Sequence, residues 1–108
     1  MKILVTGGGG FIGSRLAKAL RGRDASAKIT LLDMAFPPGL DREFTCVAGD
    51  VARPDVIKSA LGNDTDSIFH LAAVVSGGAE ADFDLGYHVN LDGTHALLEA
   101  ARGLAQPP

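Results

Sequence analysis

Four consecutive glycines, Gly7 to Gly10, follow a short apolar run and precede an amphipathic stretch, and nothing else in the chain restricts its fold as strongly. Lys2 to Thr6 has the β-branched, apolar character of a buried strand, and the glycines stop it in a tight turn. From Phe11 onward Ile12, Leu16 and Leu20 recur every fourth residue with Arg15, Lys18 and Arg21 between them, and Gly22 supplies a C-terminal stop. Thr6-Gly7-Gly8-Gly9-Gly10-Phe11-Ile12-Gly13 therefore joins a strand to a helix. Gly7 permits the turn, Gly10 removes a side chain where a pyrophosphate must approach the backbone, and Gly13 lets the helix lie close to the strand. N–H groups at the helix start, with the dipole behind them, favour a negative charge. The plainer alternative is four glycines that only make the turn flexible.

The remaining chain alternates strands and helices. Ile29 to Asp33 reads as a second strand and Phe44 to Ala48 as a third, closed by Gly49-Asp50. Between them Met34 to Arg42 carries Pro37-Pro38-Gly39 and reads as loop. Pro54 suits the first position of a short helix through Leu61, and Ser67 to Ala73 reads as a fourth strand that Ser76-Gly77-Gly78 breaks. A last helix over roughly Asp82 to Arg102 places Val89, Ala96, Leu97 and Ala101 toward a core. Strands that are apolar on both faces imply a parallel sheet covered on two sides. The expected fold is α/β, a Rossmann-type doubly wound sheet of about four strands. With 108 residues and no linker or repeat, residues 1–108 are expected to lie in one domain and to form an incomplete part of it.

Asp33 stands at the end of the second strand, 20 residues after Gly13, where its carboxylate can accept hydrogen bonds from both ribose hydroxyls of an adenosine and repel a 2′-phosphate. NAD is thereby favoured over NADP, the plainer reading being an Asp that caps a loop. A net charge of −3 offers no basic surface for nucleic acid. No apolar run approaches the length of a membrane span, and Met1 to Val5 makes no signal segment, so the cytoplasm is the expected location. Cys46 is alone and reads as a small buried hydrophobe, and His70 reads as a hydrogen-bonded imidazole within an apolar strand. Glu80, Asp82 and Asp84 read as a solvated helix start, and Tyr87 as packing or surface. His88 and His95 share a helix face, but no third ligand is near, so no metal site is expected.

In these residues the chain resembles the extended short-chain dehydrogenase/reductase superfamily, in its NAD-dependent epimerase/dehydratase group, over its whole length. The family's Thr-Gly-x-x-Gly-x-x-Gly turn is Thr6 to Gly13, and its ribose-binding acid falls on Asp33. Its Asp-Val pair beside adenine falls on Asp50-Val51, and its His-Leu-Ala-Ala strand end along the cofactor on His70-Leu71-Ala72-Ala73. Its Asn-x-x-Gly-Thr helix signature is Asn90 to Thr94, whose Asn has a structural role near the site. Val74 to Gly77 and Glu80 to Asn90 are most similar to a sugar-acid dehydrogenase group within it.

The resemblance implies NAD held by Gly7, Gly10, Phe11, Ile12, Gly13, Asp33, Asp50, Val51, Leu71, Ala72, Ala73, Ser76 and Asn90, with Ser76 nearest the reacting end. It implies hydride transfer at a secondary alcohol of a sugar, sugar acid, nucleotide sugar or polyol, and a homodimer for the full-length enzyme. It also marks an absence: the family's strand-five Ser or Thr and its Tyr-x-x-x-Lys pair have no counterpart, since Tyr87 has Leu91 four positions on and the last lysine is Lys58. No catalytic residue is assigned, and the chain is expected to be the N-terminal portion of a longer enzyme. Two other readings share the same turn, a dinucleotide sensor without turnover and a structural domain without a ligand. Elemental analysis of the purified protein is expected to find no stoichiometric zinc, and one zinc per chain would contradict the reading of the histidines.

Overall fold

A computed structural model describes all 108 residues. Four parallel strands, β1 (Lys2–Thr6), β2 (Lys28–Asp33), β3 (Thr45–Ala48) and β4 (Ser67–His70), lie in the order β3-β2-β1-β4. The helices are α1 (Phe11–Arg23), α2 (Pro54–Ala60), α3 (Ser76–Ala81), α4 (Phe83–Tyr87) and α5 (Gly93–Arg102). A 3-10 turn spans Leu40–Arg42, and one π turn, His88–Asp92, joins α4 to α5. The register pairs Ile3 with Ile29 and Ser67, and Thr6 with Leu32 and His70. None of the helices is long and apolar enough to cross a membrane.

Alternation along the strands divides the core in two. Ile3, Val5, Ile29 and Leu31 face α1 and pack with Ala17, Ala27, Leu40 and Phe44. Leu4 and Leu32 face the other way and pack with Val51, Ile57, Ala60, Leu61 and Leu97 from the α2 and α5 side. Each such aliphatic side chain contributes about 1.5–3 kcal/mol on burial. The two-faced burial expected of the strands is thus present, and Val89, Ala96 and Ala101 pack against the second cluster with Leu97.

Several element boundaries differ from the sequence reading, and each difference has a local cause. β4 stops at His70 instead of Ala73 because its partner β1 ends at Thr6, and the Leu71 amide makes the last bond to the Thr6 carbonyl at 3.1 Å. β3 begins at Thr45, since Phe44 closes the Leu40 turn through a bond from its amide to the Leu40 carbonyl. β2 begins at Lys28, whose amide bonds the Met1 carbonyl, and α2 ends at Ala60 with Leu61 as its cap. The last helix runs from Phe83 to Arg102 with Asp82 as its N-cap, accepting from the Leu85 amide at 3.1 Å, but the π turn interrupts it. Ser76-Gly77-Gly78, read as a break, instead begins the short helix α3. Cys46 is only half-buried, against the α1-side core.

Two glycines fix the turn after β1. Gly7 has φ +69°, in the left-handed region, and a Cβ there would lie 2.8 Å from the Ala72 nitrogen. A Cβ on Gly13 would run into the Gly7 carbonyl oxygen, whereas one on Gly22, in the same helix, would meet nothing. Denaturant unfolding should therefore show Gly13→Ala less stable by roughly 1–3 kcal/mol. Gly22→Ala should be more stable by about 0.5–1 kcal/mol. Equal effects of the two substitutions would contradict the close seating of α1 on the turn.

Candidate functional site

The strand order places β2 and β3 on one side of β1 and β4 on the other, so the chain reverses direction across the sheet between β1 and β4. Ligands of open α/β sheets bind beyond the carboxyl ends of the strands at such a switch point. A cavity of about 390 Å³ opens there, within the range of small-molecule sites. Gly7 and Gly10 wall it after β1, Leu32, Asp33 and Met34 after β2, and Gly49, Asp50 and Val51 after β3. Leu71 to Val74 close it after β4, and Leu85, His88 and Val89 reach it from α4 and the π turn.

The glycine turn is held from below and left open above. The Gly7 and Gly8 amides both donate to the Leu32 carbonyl, at 2.8 and 3.3 Å, and the Gly10 amide returns to the Gly7 carbonyl at 3.1 Å. A Cβ on Gly8 would lie 2.6 Å from that of Leu31, and one on Gly9 would strike the Ala35 carbonyl. Gly10 differs, because a Cβ there would meet only the Gly7 oxygen, at 3.4 Å. Its missing side chain leaves room on the cavity wall. The amides of Phe11, Ile12 and Gly13 have no acceptor within the chain, as the first turn of a helix requires. Unpaired donors, positive helix end and open backbone together fit a phosphate group.

Asp33 joins the turn to β2. Its Oδ2 accepts from the Gly9 amide at 3.0 Å and its Oδ1 from the Met34 amide at 2.7 Å. Each oxygen keeps a lone pair, so the carboxylate can still accept two hydroxyl donors from the cavity. Asp50 is placed similarly after β3. Its Oδ1 accepts from the Ala52 amide at 2.9 Å and its Oδ2 from His88 Nε2 at 2.7 Å. Burial works against the charged form of Asp50, but the bonds from His88 and Ala52 outweigh it and hold the carboxyl below the usual range. The same bond to Asp50 raises the His88 imidazole above its ordinary value.

Beneath the cavity a chain of hydrogen bonds has one consistent direction. Thr94 Oγ1 donates to the Asn90 carbonyl at 2.7 Å, so it accepts from His70 Nε2 at 2.9 Å, and His70 carries its proton on Nε2. His70 Nδ1 then accepts from Thr6 Oγ1 at 2.6 Å. The Thr6 oxygen in turn accepts the amides of Leu71 and Ala72, at 3.1 and 3.2 Å. Every donor has an acceptor, which sets the backbone of the β4 wall. His70 is the hydrogen-bonded imidazole expected of it, and burial lowers its pKa.

Of the residues singled out in the sequence, Gly7, Gly10, Asp33, Asp50, Val51, Leu71, Ala72 and Ala73 meet at the cavity. Phe11, Ile12, Gly13, Ser76 and Asn90 do not line it. Phe11 and Ile12 are exposed, with Arg15 stacked on the Phe11 ring at 3.7 Å, and Gly13 lies under the turn. Ser76 is the exposed first residue of α3. Asn90 clamps the loop after β4, its Oδ1 taking the Val74 amide at 2.8 Å and its Nδ2 donating to the Val74 carbonyl at 2.9 Å. Sequence reasoning missed His88, Leu85 and Val89 as wall residues. The signal available was a titratable residue two positions before the Asn-x-x-Gly-Thr signature, but its Asp50 partner is 38 residues away. Tyr87 is exposed and tilted against Phe83, 6.1 Å between ring centres.

Comparison with known proteins agrees with this geometry. The family model of the 3-beta hydroxysteroid dehydrogenase/isomerase family matches residues 4–105. The D-erythronate dehydrogenase of Cupriavidus necator is 48% identical in an alignment that covers 100% of this chain and 36% of its own length. That of Haemophilus influenzae is 40% identical, over 94% of this chain and 34% of its own. These are of the sugar-acid dehydrogenase group to which Val74–Gly77 and Glu80–Asn90 are similar. A short-chain dehydrogenase/reductase superfamily protein from Agrobacterium tumefaciens, solved with bound NAD, superposes with a TM-score of 0.78 at 29% identity. That superposition covers 94% of this chain and 29% of the other. The chain spans about a third of the length of the curated relatives it matches.

Protonating His70 would put a donor on Nδ1 against a Thr6 oxygen whose two acceptor sites are taken by amides. Because the folded-state pKa lies below the unfolded value of about 6.5, the folded state binds fewer protons. Stability from this network is complete above about pH 6.5 and falls as pH drops through that value. Nitrogen NMR should find His70 as the Nε2–H tautomer with a midpoint below about 6.5. An Nδ1–H tautomer, or a midpoint above that value, would contradict the assigned direction of the chain.

Proposed function

The chain belongs to the 3-beta hydroxysteroid dehydrogenase/isomerase family, and from that membership we propose that it is the NAD-holding part of a dehydrogenase, epimerase or dehydratase. Its substrate class is a small sugar or sugar acid with a secondary alcohol, acted on in the cytoplasm by a homodimeric full-length protein. The observation that carries the reading is the pairing, on one cavity wall, of the open Gly10 backbone with the amide-held Asp33 carboxylate. The 48% identity to a D-erythronate dehydrogenase supports the substrate class.

Each residue has a role that its surroundings support. Gly7 and Gly13 shape the turn, Gly10 with the amides of Phe11, Ile12 and Gly13 receives the pyrophosphate, and Asp33 accepts the adenosine ribose hydroxyls. Asp50 and Val51 border the adenine. Leu71, Ala72 and Ala73 line the channel toward the reacting end, with Ser76 beyond them, and Asn90 holds that loop through Val74. The chemistry that bound NAD would supply is hydride transfer at the nicotinamide ring. Leu32 and Val89 give the wall beside Asp33 and Asp50 an apolar lining, and Leu71 continues it toward the reacting end. General acid–base work needs a group of suitable pKa within reach of the substrate hydroxyl. Tyr87, exposed and without a lysine four positions on, does not supply it, and the step is assigned to residues outside these 108, which constitute part of a larger Rossmann-type domain.

Calorimetric titration of NAD and NADP into the protein and into Asp33→Ala tests the reading. NAD is expected to bind the parent chain more tightly than NADP, because a 2′-phosphate would face the carboxylate. Asp33→Ala should weaken NAD about tenfold or more and NADP far less. Equal losses for the two dinucleotides would remove Asp33 from the ribose.

A further inference from the structure

His88 is the one cavity-wall residue with a titratable side chain that the roles above leave unused. It comes from the π turn, while its partner Asp50 comes from the loop after β3, 38 residues earlier. Asp50 Oδ2 can only accept, so His88 Nε2 is the donor across the 2.7 Å contact. On the other side of the ring, Nδ1 lies 3.7 Å from Asp92 Oδ2. Arg53, whose charge also favours the ionised Asp50, is engaged at 3.2 Å by Asp55 and makes no hydrogen bond to Asp50. The Asp50 carboxylate is therefore aimed by two groups from separate elements, the Ala52 amide on Oδ1 and His88 on Oδ2. One lone pair remains on each oxygen, and the ionised carboxylate carries no donor of its own.

A carboxylate acceptor held in one orientation discriminates between the base edges that meet it. A purine whose edge carries an exocyclic amine donates to it, whereas one with a carbonyl at that position sets two acceptors face to face. Leaving such a group unpaired costs more than the hydrogen bond itself contributes. We infer that His88 is a positioning residue that sets base selectivity in this cavity, by holding the Asp50 carboxylate as a rigid acceptor for an amino-purine. The inference rests on the NAD reading and deepens it, since adenine is the base that carries that amine. Between two carboxylates the imidazolium also offsets their charge. Deprotonation of His88 keeps the Nε2–H donor but removes that charge, so the hold on Asp50 weakens as pH rises through the titration of His88, which lies above its ordinary value.

The test is calorimetric titration of NAD and of its hypoxanthine analogue into the protein, His88→Ala and His88→Gln, between about pH 6 and pH 9. The His88 side chain is about half exposed, at 45%, so neither variant disturbs the core. His88→Ala should reduce the preference for NAD over the analogue about fivefold or more. His88→Gln, with a neutral donor, should retain the preference and lose its pH dependence, while the parent preference should decline toward high pH. An unchanged ratio in His88→Ala would overturn the role of His88, even if both dinucleotides bound more weakly, and would leave the NAD reading standing. If the parent protein bound neither dinucleotide, the NAD reading would fall and this inference with it.

Discussion

The left-handed turn at Gly7 is the constraint on which the rest of the site depends. At φ +69° the chain leaves β1, donates its next two amides to the Leu32 carbonyl and brings α1 back over the turn. Gly13 can then sit against the Gly7 carbonyl, which carries the start of α1 to the mouth of the cavity. A side chain at Gly7 would collide with the backbone after β4, at Leu71 and Ala72. Three strand ends thus converge on one residue that has no side chain, and the convergence makes the cavity.

A layer of polar bonds fixes what the apolar core leaves free. The core clusters hold the sheet between α1 on one face and α2 with α5 on the other, but they set no direction at the strand ends. There the Asp33 carboxylate bridges Gly9 and Met34, and Thr6, His70 and Thr94 tie β1 and β4 to the last helix. Asn90 and His88 reach back from the π turn to the loops after β4 and β3. An inserted residue of the π type shifts the helix face locally, and such turns gather at functional sites. The interruption between Phe83 and Arg102 is thereby connected with two of the contacts that shape the cavity.

Most of the sheet was legible in the sequence because its determinants are local. Apolar runs gave the four strands, Asp33 followed from its distance to the glycines, and Gly7 and Gly13 followed from what a tight strand-to-helix turn demands. Features that depend on a partner far along the chain were not. Gly8 and Gly9 are needed because of Leu31 and the Ala35 carbonyl, which no spacing rule reveals. The end of β4 is dictated by where β1 stops, and α3 forms despite Gly77-Gly78. The Asp50–His88 pair joins two loops whose approach only the folded sheet determines.

The central claim, that the Gly7–Gly13 turn and Asp33 together receive an adenosine diphosphate moiety, is tested most directly by amide NMR during titration with ADP-ribose. That probe carries the pyrophosphate and both riboses and lacks the nicotinamide, so it reads this half of the site alone. The account predicts saturable shifts concentrated in the amides of Gly9 to Gly13 and in Met34, whose amide shares the Asp33 carboxylate. Saturable shifts that leave those amides unmoved, or no response at all, would contradict it.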